Sequence, residues 1–93
     1  MKIEAIRVYQ VDLPLLEGRY TWAGGKHFVE TFDSTIVEIL TDEGTAGYGE
    51  NTPLGSAYLP ALALGARAAI RELAPHLIGE DPTAVGRINA LMD

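Results

Sequence analysis

The feature that most constrains the fold is a pair of β-rich segments joined by a glycine turn. The first, STIVEILT at residues 34–41, is rich in apolar and β-branched side chains. The second, TAGYGE at residues 45–50, has fewer side chains because it contains Gly47 and Gly49. Between them, Asp42-Glu43-Gly44 ends on a residue that adopts positive φ without steric cost. Two strands joined by so short a turn predict an antiparallel hairpin.

A further strand precedes this hairpin. Residues 2–13, KIEAIRVYQVDL, alternate between apolar and polar side chains at their start, and the alternation changes phase towards their end. This change of phase predicts a bulge near Gln10, and Pro14 ends the strand. The three strands together predict an antiparallel meander.

The rest of the chain has helical periodicity. Pro60 suits the first position of a helix, where its missing N–H would have no partner, and Pro75 predicts the end of that helix. Thr83 is suited to cap a second helix that runs towards Met92. Arg67 is predicted to lie outside the apolar face of the first helix, whose members are Leu62, Ala63, Ala66, Ala69, Ile70 and Leu73. Residues 1–93 therefore predict one domain of the α+β class, a three-stranded antiparallel meander followed by helices.

Composition and charge exclude several classes of function. The 93 residues carry a net charge of −6, and the only lysines are Lys2 and Lys26, which argues against a nucleic-acid partner. The chain has no cysteine, so disulfides, thiolate metal sites and cysteine nucleophiles are excluded. No apolar run reaches the length of a membrane span, and the first residues do not follow the pattern of a secretory signal. We therefore expect a cytoplasmic protein with no membrane partner.

Two segments show neither helical nor strand periodicity. Residues 15–33 contain several glycines and four aromatic residues, Tyr20, Trp22, Phe28 and Phe32. Long loops inside small domains are usually functional, and disordered segments are poor in aromatics. This segment is therefore predicted to be a loop that is mobile alone and becomes ordered only against a barrel or a ligand that it covers. A second predicted loop spans residues 51–59.

The sequence contains no complete catalytic constellation and no metal-ligand set. It has no Lys-x-Lys pair, no glycine-rich phosphate loop and no His-x-x-x-His motif. Glu50 ends a strand, but one carboxylate does not make a magnesium site. His76 is expected to interact with the end of the first helix. We therefore expect no catalytic residue and no metal ligand within this chain.

Five residues of the two loops are candidates for contact with a substrate, and four of them also have a purely structural interpretation. Lys26 and His27 are suited to receive a carboxylate, or else they are solvated surface residues. Trp22 either faces a ligand or packs under its loop, and Tyr58 either directs its hydroxyl to a ligand or anchors the second loop. Leu54 completes the set.

Five stretches of the chain resemble the N-terminal part of enolase-superfamily enzymes of the mandelate racemase/muconate lactonising type. They are MKIEAIRVYQVDLPL, YTWAGGKHFVETFDST, IVEILTDEGTAGYGE, NTPLGSAYLPA and ELAPHLIGEDP. More narrowly, TWAGGK, FDST and PLGSAYLPA look like members that act on proline derivatives, the cis-3-hydroxyproline dehydratases and the hydroxyproline-betaine epimerases.

This resemblance implies that the chain is a capping domain and that a modified TIM barrel follows residue 93. In the family the barrel supplies the Mg²⁺ ligands and the lysine bases that remove a proton α to a carboxylate. The capping domain supplies two loops that close over the barrel mouth and set specificity, and these match residues 15–33 and 51–59. The implied partners are a small carboxylate substrate, the protein's own barrel and further copies of itself in a homo-oligomer.

The dehydratase is the preferred interpretation, and the epimerase is the alternative. A rival of another class is a free-standing binding or assembly module, which would have to bury the loop aromatics within itself. Dehydration of an acid sugar is a further alternative, but it would suit a more polar loop than one containing Trp22, Phe28 and Phe32.

Overall fold

The computed structural model describes residues 1–16, 18, 20–22, 27–52 and 60–93, and it describes the backbone alone at 20–22, 27–29 and 60. In chain order the strands are β1 (Ile3–Pro14), β2 (Tyr20–Trp22), β3 (His27–Val29), β4 (Thr31–Thr41) and β5 (Ala46–Asn51). The helices α1 (Pro60–Leu77) and α2 (Val85–Met92) follow. The predicted α+β order, strands and then helices, is confirmed.

The main sheet is the predicted three-stranded antiparallel sheet, in the order β1-β4-β5. The turn between β4 and β5 has Gly44 at φ 83°, and the Gly44 amide donates to the carbonyl of Thr41 at 3.1 Å. The Thr41 amide donates in turn to the carbonyl of Thr45 at 3.0 Å. The glycine turn therefore has the conformation that the sequence predicts.

The predicted bulge near Gln10 is wrong. The register of β1 against β4 runs without a break from Ala5, opposite Leu40, to Pro14, opposite Thr31, and the irregularity lies between Ile3 and Ala5. The change of hydrophobic phase along β1 has another cause: apolar side chains occupy one face of the strand at its start and the opposite face at its end.

The prediction that residues 15–33 lack strands is also wrong. β2 and β3 pair as an antiparallel hairpin, a two-stranded sheet of its own, and β4 begins at Thr31. The Leu15 amide donates to the carbonyl of Glu30 at 2.9 Å, so the β1–β4 ladder continues to the base of this hairpin. Strands of three residues are too short to show the period-two alternation that identifies a strand in a sequence.

Helix α1 packs against the face of the sheet that carries apolar residues from β1 and β4. Ala63 and Leu77 are buried on α1, and Ile3 is buried at the start of β1. A cavity of about 160 Å³ remains between the layers, and its lining is apolar: Ile6, Val37, Ile39, Ile70, Leu73, Ala74, Leu77 and Met92. Neither described helix is long and apolar enough to cross a membrane.

Three predictions about the helices need correction. Pro75 lies inside the last turn of α1, which continues to Leu77. Proline has no N–H to donate to the carbonyl of Arg71 and its ring crowds that carbonyl, so Pro75 marks the last turn of the helix, and the prediction missed the end of the helix by two residues. Thr83 does not cap α2, because its hydroxyl donates to Asp81 Oδ1 at 2.7 Å. Ala84 occupies the N-cap position and makes no side-chain hydrogen bond there.

The buried face of α1 is also rotated from its predicted position. Leu62 is 43% exposed, whereas the Arg67 side chain, predicted to lie outside this face, is only 14% exposed. Ala63, Ile70 and Leu77 recur at seven-residue intervals and mark the centre of the face that meets the sheet.

Candidate functional site

The β2–β3 hairpin brings two of the predicted site residues together. Trp22, the last residue of β2, and His27, the first residue of β3, are direct partners in its register. Opposed residues of an antiparallel pair lie about 4.5–5.5 Å apart, so the two positions are neighbours. Lys26, Leu54 and Tyr58, the other predicted site residues, lie outside the described residues.

A buried polar cluster lies at the base of the hairpin, on β4. Ser34 is fully buried, and its hydroxyl donates to Glu50 Oε2 at 2.9 Å. Ser34 Oγ also lies 2.9 Å from Thr52 Oγ1. Because a serine hydroxyl has a single hydrogen, which here goes to the carboxylate, the Thr52 hydroxyl is the donor in this second bond. Glu50, considered above as a possible metal ligand, is thus an acceptor for a serine.

The opposite face of β4 carries a two-point ion pair. Arg67 Nη1 donates to Asp33 Oδ1 at 2.7 Å, and Arg67 Nη2 donates to Asp33 Oδ2 at 3.0 Å. Arg67 Nη1 also donates to the hydroxyl of the fully buried Thr35 at 3.2 Å, and Gln10 Nε2 donates to Asp33 Oδ1 at 3.0 Å. The bonds from Arg67, and next the bond from Gln10, hold the pKa of the Asp33 carboxyl below its usual value of 3.8.

A second charged group lies further along the sheet, on the face that carries Ser34. Glu38 Oε2 accepts from the Tyr48 hydroxyl at 2.7 Å, and Glu38 Oε1 lies 3.4 Å from both Arg7 Nη1 and the Tyr9 hydroxyl. The bond from Tyr48, and then the charge of Arg7, lower the pKa of Glu38, while Glu38 raises the pKa of Tyr48. A carboxylate held ionised in this way is an acceptor and not a proton donor.

The described side chains do not fit a Mg²⁺ site. Nowhere in the described ranges do three or more His, Cys, Asp or Glu side chains come together as a group that could hold a metal ion. A second cavity, of about 270 Å³, lies beside the β4–β5 turn and has no titratable side chain in its lining, which consists of Met1, Ile39, Thr41, Thr45, Ala46, Gly47, Pro82 and Thr83. A metal-assisted reaction would therefore need ligands from beyond the part of the chain that the structure describes.

Sequence reasoning missed the residues that organise the base of the hairpin: Asp33, Ser34, Thr35 and Arg67. One signal was present, because three consecutive polar residues stand directly before the largely apolar run of residues 36–40. A strand alternates its faces, so such a run must place polar groups on both sides of the sheet, where buried ones need partners.

Comparison with known proteins identifies the family. Residues 23–93 match the model of the mandelate racemase/muconate lactonizing enzyme N-terminal domain. Over all 93 residues the chain is 67% identical to a cis-3-hydroxy-L-proline dehydratase of Roseibium aggregatum and 36% identical to a hydrophobic dipeptide epimerase of Enterococcus faecalis. The chain spans about a quarter of the length of these curated relatives, 25% of each.

Solved structures show the same fold. A mandelate racemase/muconate lactonizing enzyme of Roseovarius nubinhibens in complex with magnesium superposes with a TM-score of 0.87 at 44% identity, over 99% of this chain and 24% of that one. The dipeptide epimerase of Enterococcus faecalis, in complex with Mg and the dipeptide L-Leu-L-Tyr, superposes with a TM-score of 0.83 at 34% identity, over 100% of this chain and 25% of that one. The described β-sheet and helices are therefore those of an N-terminal domain in enzymes about four times as long.

Proposed function

Because the chain belongs to the mandelate racemase/muconate lactonizing enzyme family, as its N-terminal domain, we propose that it is the capping domain of a Mg²⁺-dependent enzyme that removes a proton α to a carboxylate. The relatives support this, since dehydration of a 3-hydroxyproline, epimerisation and racemisation all require a bond from the α carbon to hydrogen to break. The protein's own barrel domain, outside this chain, would hold the Mg²⁺, because the described residues offer no ligand set.

The proposed substrate is cis-3-hydroxy-L-proline. The single observation that carries this choice is the identity of 67% to a dehydratase of that compound along the whole domain, against 36% and 32% for relatives with other substrates. In the reaction a proton leaves the α carbon, the hydroxyl leaves C3 with its bonding electrons, and a double bond forms between C2 and C3. The net products are water and an unsaturated cyclic imino acid.

The part of this chain in the reaction is to bind the substrate and to exclude water from it. We place Trp22 and His27, which are opposed across the hairpin, against the substrate, together with Lys26, Leu54 and Tyr58. An indole face attracts a cationic amine by about 0.5–2 kcal/mol, and cationic side chains attract a carboxylate. Substrate removed from water feels both attractions more strongly than a solvated molecule does.

This domain buries little apolar surface, which supports the proposal that it packs against a second domain. Ile3, Ala63 and Leu77 are its buried hydrophobic residues within the described ranges, and Leu64 is 61% exposed. A small domain with so thin a core gains stability from a larger partner. A cytoplasmic location and homo-oligomerisation remain predictions.

The test is turnover by the full-length protein, which carries its barrel. We expect cis-3-hydroxy-L-proline to be consumed with release of water, and the activity to disappear with a chelator and return with Mg²⁺. The reaction is run in D₂O and followed by proton NMR, so that an epimerase is recognised by deuterium at the α carbon of an otherwise intact substrate. Absence of both reactions, with Mg²⁺ present, would refute the proposal and favour a binding module.

The role of Tyr58 is tested with a matched tyrosine. Tyr58→Phe removes one hydroxyl, and we expect a lower substrate affinity or turnover with an unchanged melting temperature. Tyr48→Phe removes the same group from an exposed position where it bonds Glu38, and we expect unchanged kinetic constants. Trp22→Ala should weaken binding of an N-methylated substrate more than binding of the plain imino acid. Unchanged kinetics of Tyr58→Phe would favour its role as an anchor of the loop.

A further inference from the structure

Three consecutive residues of β4, Asp33, Ser34 and Thr35, hold together segments of the chain that lie far apart in sequence. Ser34 and Thr35 are the largest fully buried side chains in the described ranges, although both are polar. Burial of hydroxyl groups is unfavourable unless they are hydrogen-bonded, and here every buried side-chain polar atom of the described residues has a partner. A fully satisfied buried network specifies one arrangement of the elements that it joins.

On one face of β4 the tripeptide holds the end of β5. The Ser34 hydroxyl contacts both Glu50 and Thr52, which flank Asn51, the last residue of β5. The Ser34 hydroxyl therefore fixes the position of the chain at the point where it leaves the main sheet.

On the other face the tripeptide holds helix α1. Both oxygens of Asp33 accept from the guanidinium of Arg67, and the Thr35 hydroxyl accepts a further bond from it. The Arg67 side chain is 14% exposed and that of Asp33 is 25% exposed, so this is a partly desolvated contact between α1 and the sheet. A guanidinium is a planar fork with a fixed direction, so the pair controls orientation as well as distance.

The same tripeptide stands next to the β2–β3 hairpin. β3 ends at Val29 and β4 begins at Thr31, so the hairpin in which Trp22 pairs with His27 joins β4 shortly before Asp33. The exit of the hairpin, the end of β5 and the first half of α1 are thus attached to one short stretch of strand.

We propose that Asp33–Thr35 is a positioning junction, and that Arg67 and Ser34 are positioning residues for substrate binding. Neither is placed against the substrate. They act by fixing the hairpin with Trp22 and His27 relative to the end of β5 and the first half of α1. The proposal rests on the proposed function for its substrate, and it goes beyond that function in assigning two residues that bear on affinity from beneath the site.

The first test compares two arginines of the full-length enzyme. Arg67→Gln removes the ion pair of the junction, and Arg87→Gln removes a similar pair, in which Arg87 Nε and Nη2 donate to Glu80 at 2.8 and 3.2 Å, far from the hairpin. A misplacement of about 1 Å can cost about 100-fold in rate, and a loss confined to groups that only bind the substrate appears in KM. We expect Arg67→Gln to raise KM for the imino acid about tenfold with a much smaller change in kcat, and Arg87→Gln to leave both constants unchanged.

Two further variants separate positioning from simple stability. Arg67→Lys keeps the charge but loses the two-point geometry, so its KM should lie between those of the wild type and Arg67→Gln. Ser34→Ala acts on the other face of β4 and should also raise KM, whereas Thr83→Ala, which removes an exposed hydroxyl bonded to Asp81, should not. A lower melting temperature of Arg67→Gln or Ser34→Ala with unchanged KM would overturn the proposal.

A second measurement keeps the test independent of the assumed substrate. Hydrogen exchange by mass spectrometry on the full-length protein should show faster exchange in residues 61–66 of Arg67→Gln and around Thr52 in Ser34→Ala, with neither change in Arg87→Gln. If the wild type does not turn over cis-3-hydroxy-L-proline, the proposed function fails while this measurement still decides on the junction. If Arg67→Gln and Ser34→Ala exchange no faster than Arg87→Gln in these segments, the junction is overturned, whatever the substrate.

Discussion

Leucine-to-alanine substitutions at two positions of helix α1 test how this domain is held together. Leu77 is 8% exposed and faces the sheet, whereas Leu64 is 61% exposed on the same helix. Both changes remove the same atoms, and alanine is at least as good a helix former as leucine. Any difference between the two variants therefore measures burial.

The expected magnitude follows from the surroundings of Leu77. Truncation of a buried leucine costs about 2–5 kcal/mol, and the larger values occur where the side chain is enclosed on all sides. Leu77 lines a cavity of about 160 Å³, so part of its surface already lacks neighbours, and we expect a loss of about 2–3 kcal/mol. For Leu64 we expect a change within about 0.5 kcal/mol.

The assay is equilibrium urea unfolding of the 93-residue chain, followed by circular dichroism of the helical signal. The two variants should share the slope of the wild type and differ in midpoint, because the surface exposed on unfolding is nearly the same. A Leu64→Ala variant as unstable as Leu77→Ala would refute the reasoning, since it would show that the sheet-facing side of α1 does not provide the core.

Three other predictions follow from the described contacts. The lowered pKa of Asp33 contributes stability that is present above the ordinary value of 3.8 and is lost as the pH falls below it. The melting temperature of Arg67→Gln should therefore decline less than that of the wild type between pH about 5 and about 3. A parallel decline of the two proteins would contradict this. Ala84→Ser should stabilise α2 by about 0.5–1 kcal/mol by supplying the missing cap, and a lower urea midpoint would show that this position cannot use a cap. The 93-residue chain should show neither turnover nor micromolar Mg²⁺ binding in calorimetry, and a measurable heat of binding would count against ligands located elsewhere.

Local signals in the sequence predicted the main sheet well. The β4–β5 hairpin follows from the apolar and β-branched residues of 34–41 and from Gly44, whose positive φ the structure confirms. The sequence did not reveal β2 and β3, because strands of three residues show no period and their pairing depends on the ends being brought together by β1 and β4. Element type was thus predictable where a pattern extends over two or more turns or several strand residues.

The sequence predicted only part of the candidate site. The aromatic and glycine content of residues 15–33 drew attention to Trp22 and His27, which the hairpin pairs directly. Arg67 was missed because it lies beside the apolar residues that were predicted to face the core, where a charge is expected to be solvated. Its partner Asp33 is 34 residues away in the chain. Spacing along the sequence does not show which charges meet in space.

The first residue of β1 has a consequence for how the protein is made. The Ile3 amide donates to the carbonyl of Glu80 at 2.8 Å, and the Gly79 amide donates to the carbonyl of Ile3 at 2.8 Å. During synthesis the amino-terminal strand leaves the ribosome first, yet these partners emerge only after β4, β5 and α1 have been translated. Until then the start of β1 can pair with β4 on one side only, and its outer side is an open strand edge, which is the kind of segment that associates wrongly with other nascent chains. The earliest part of the domain to be synthesised is therefore among the last to be secured.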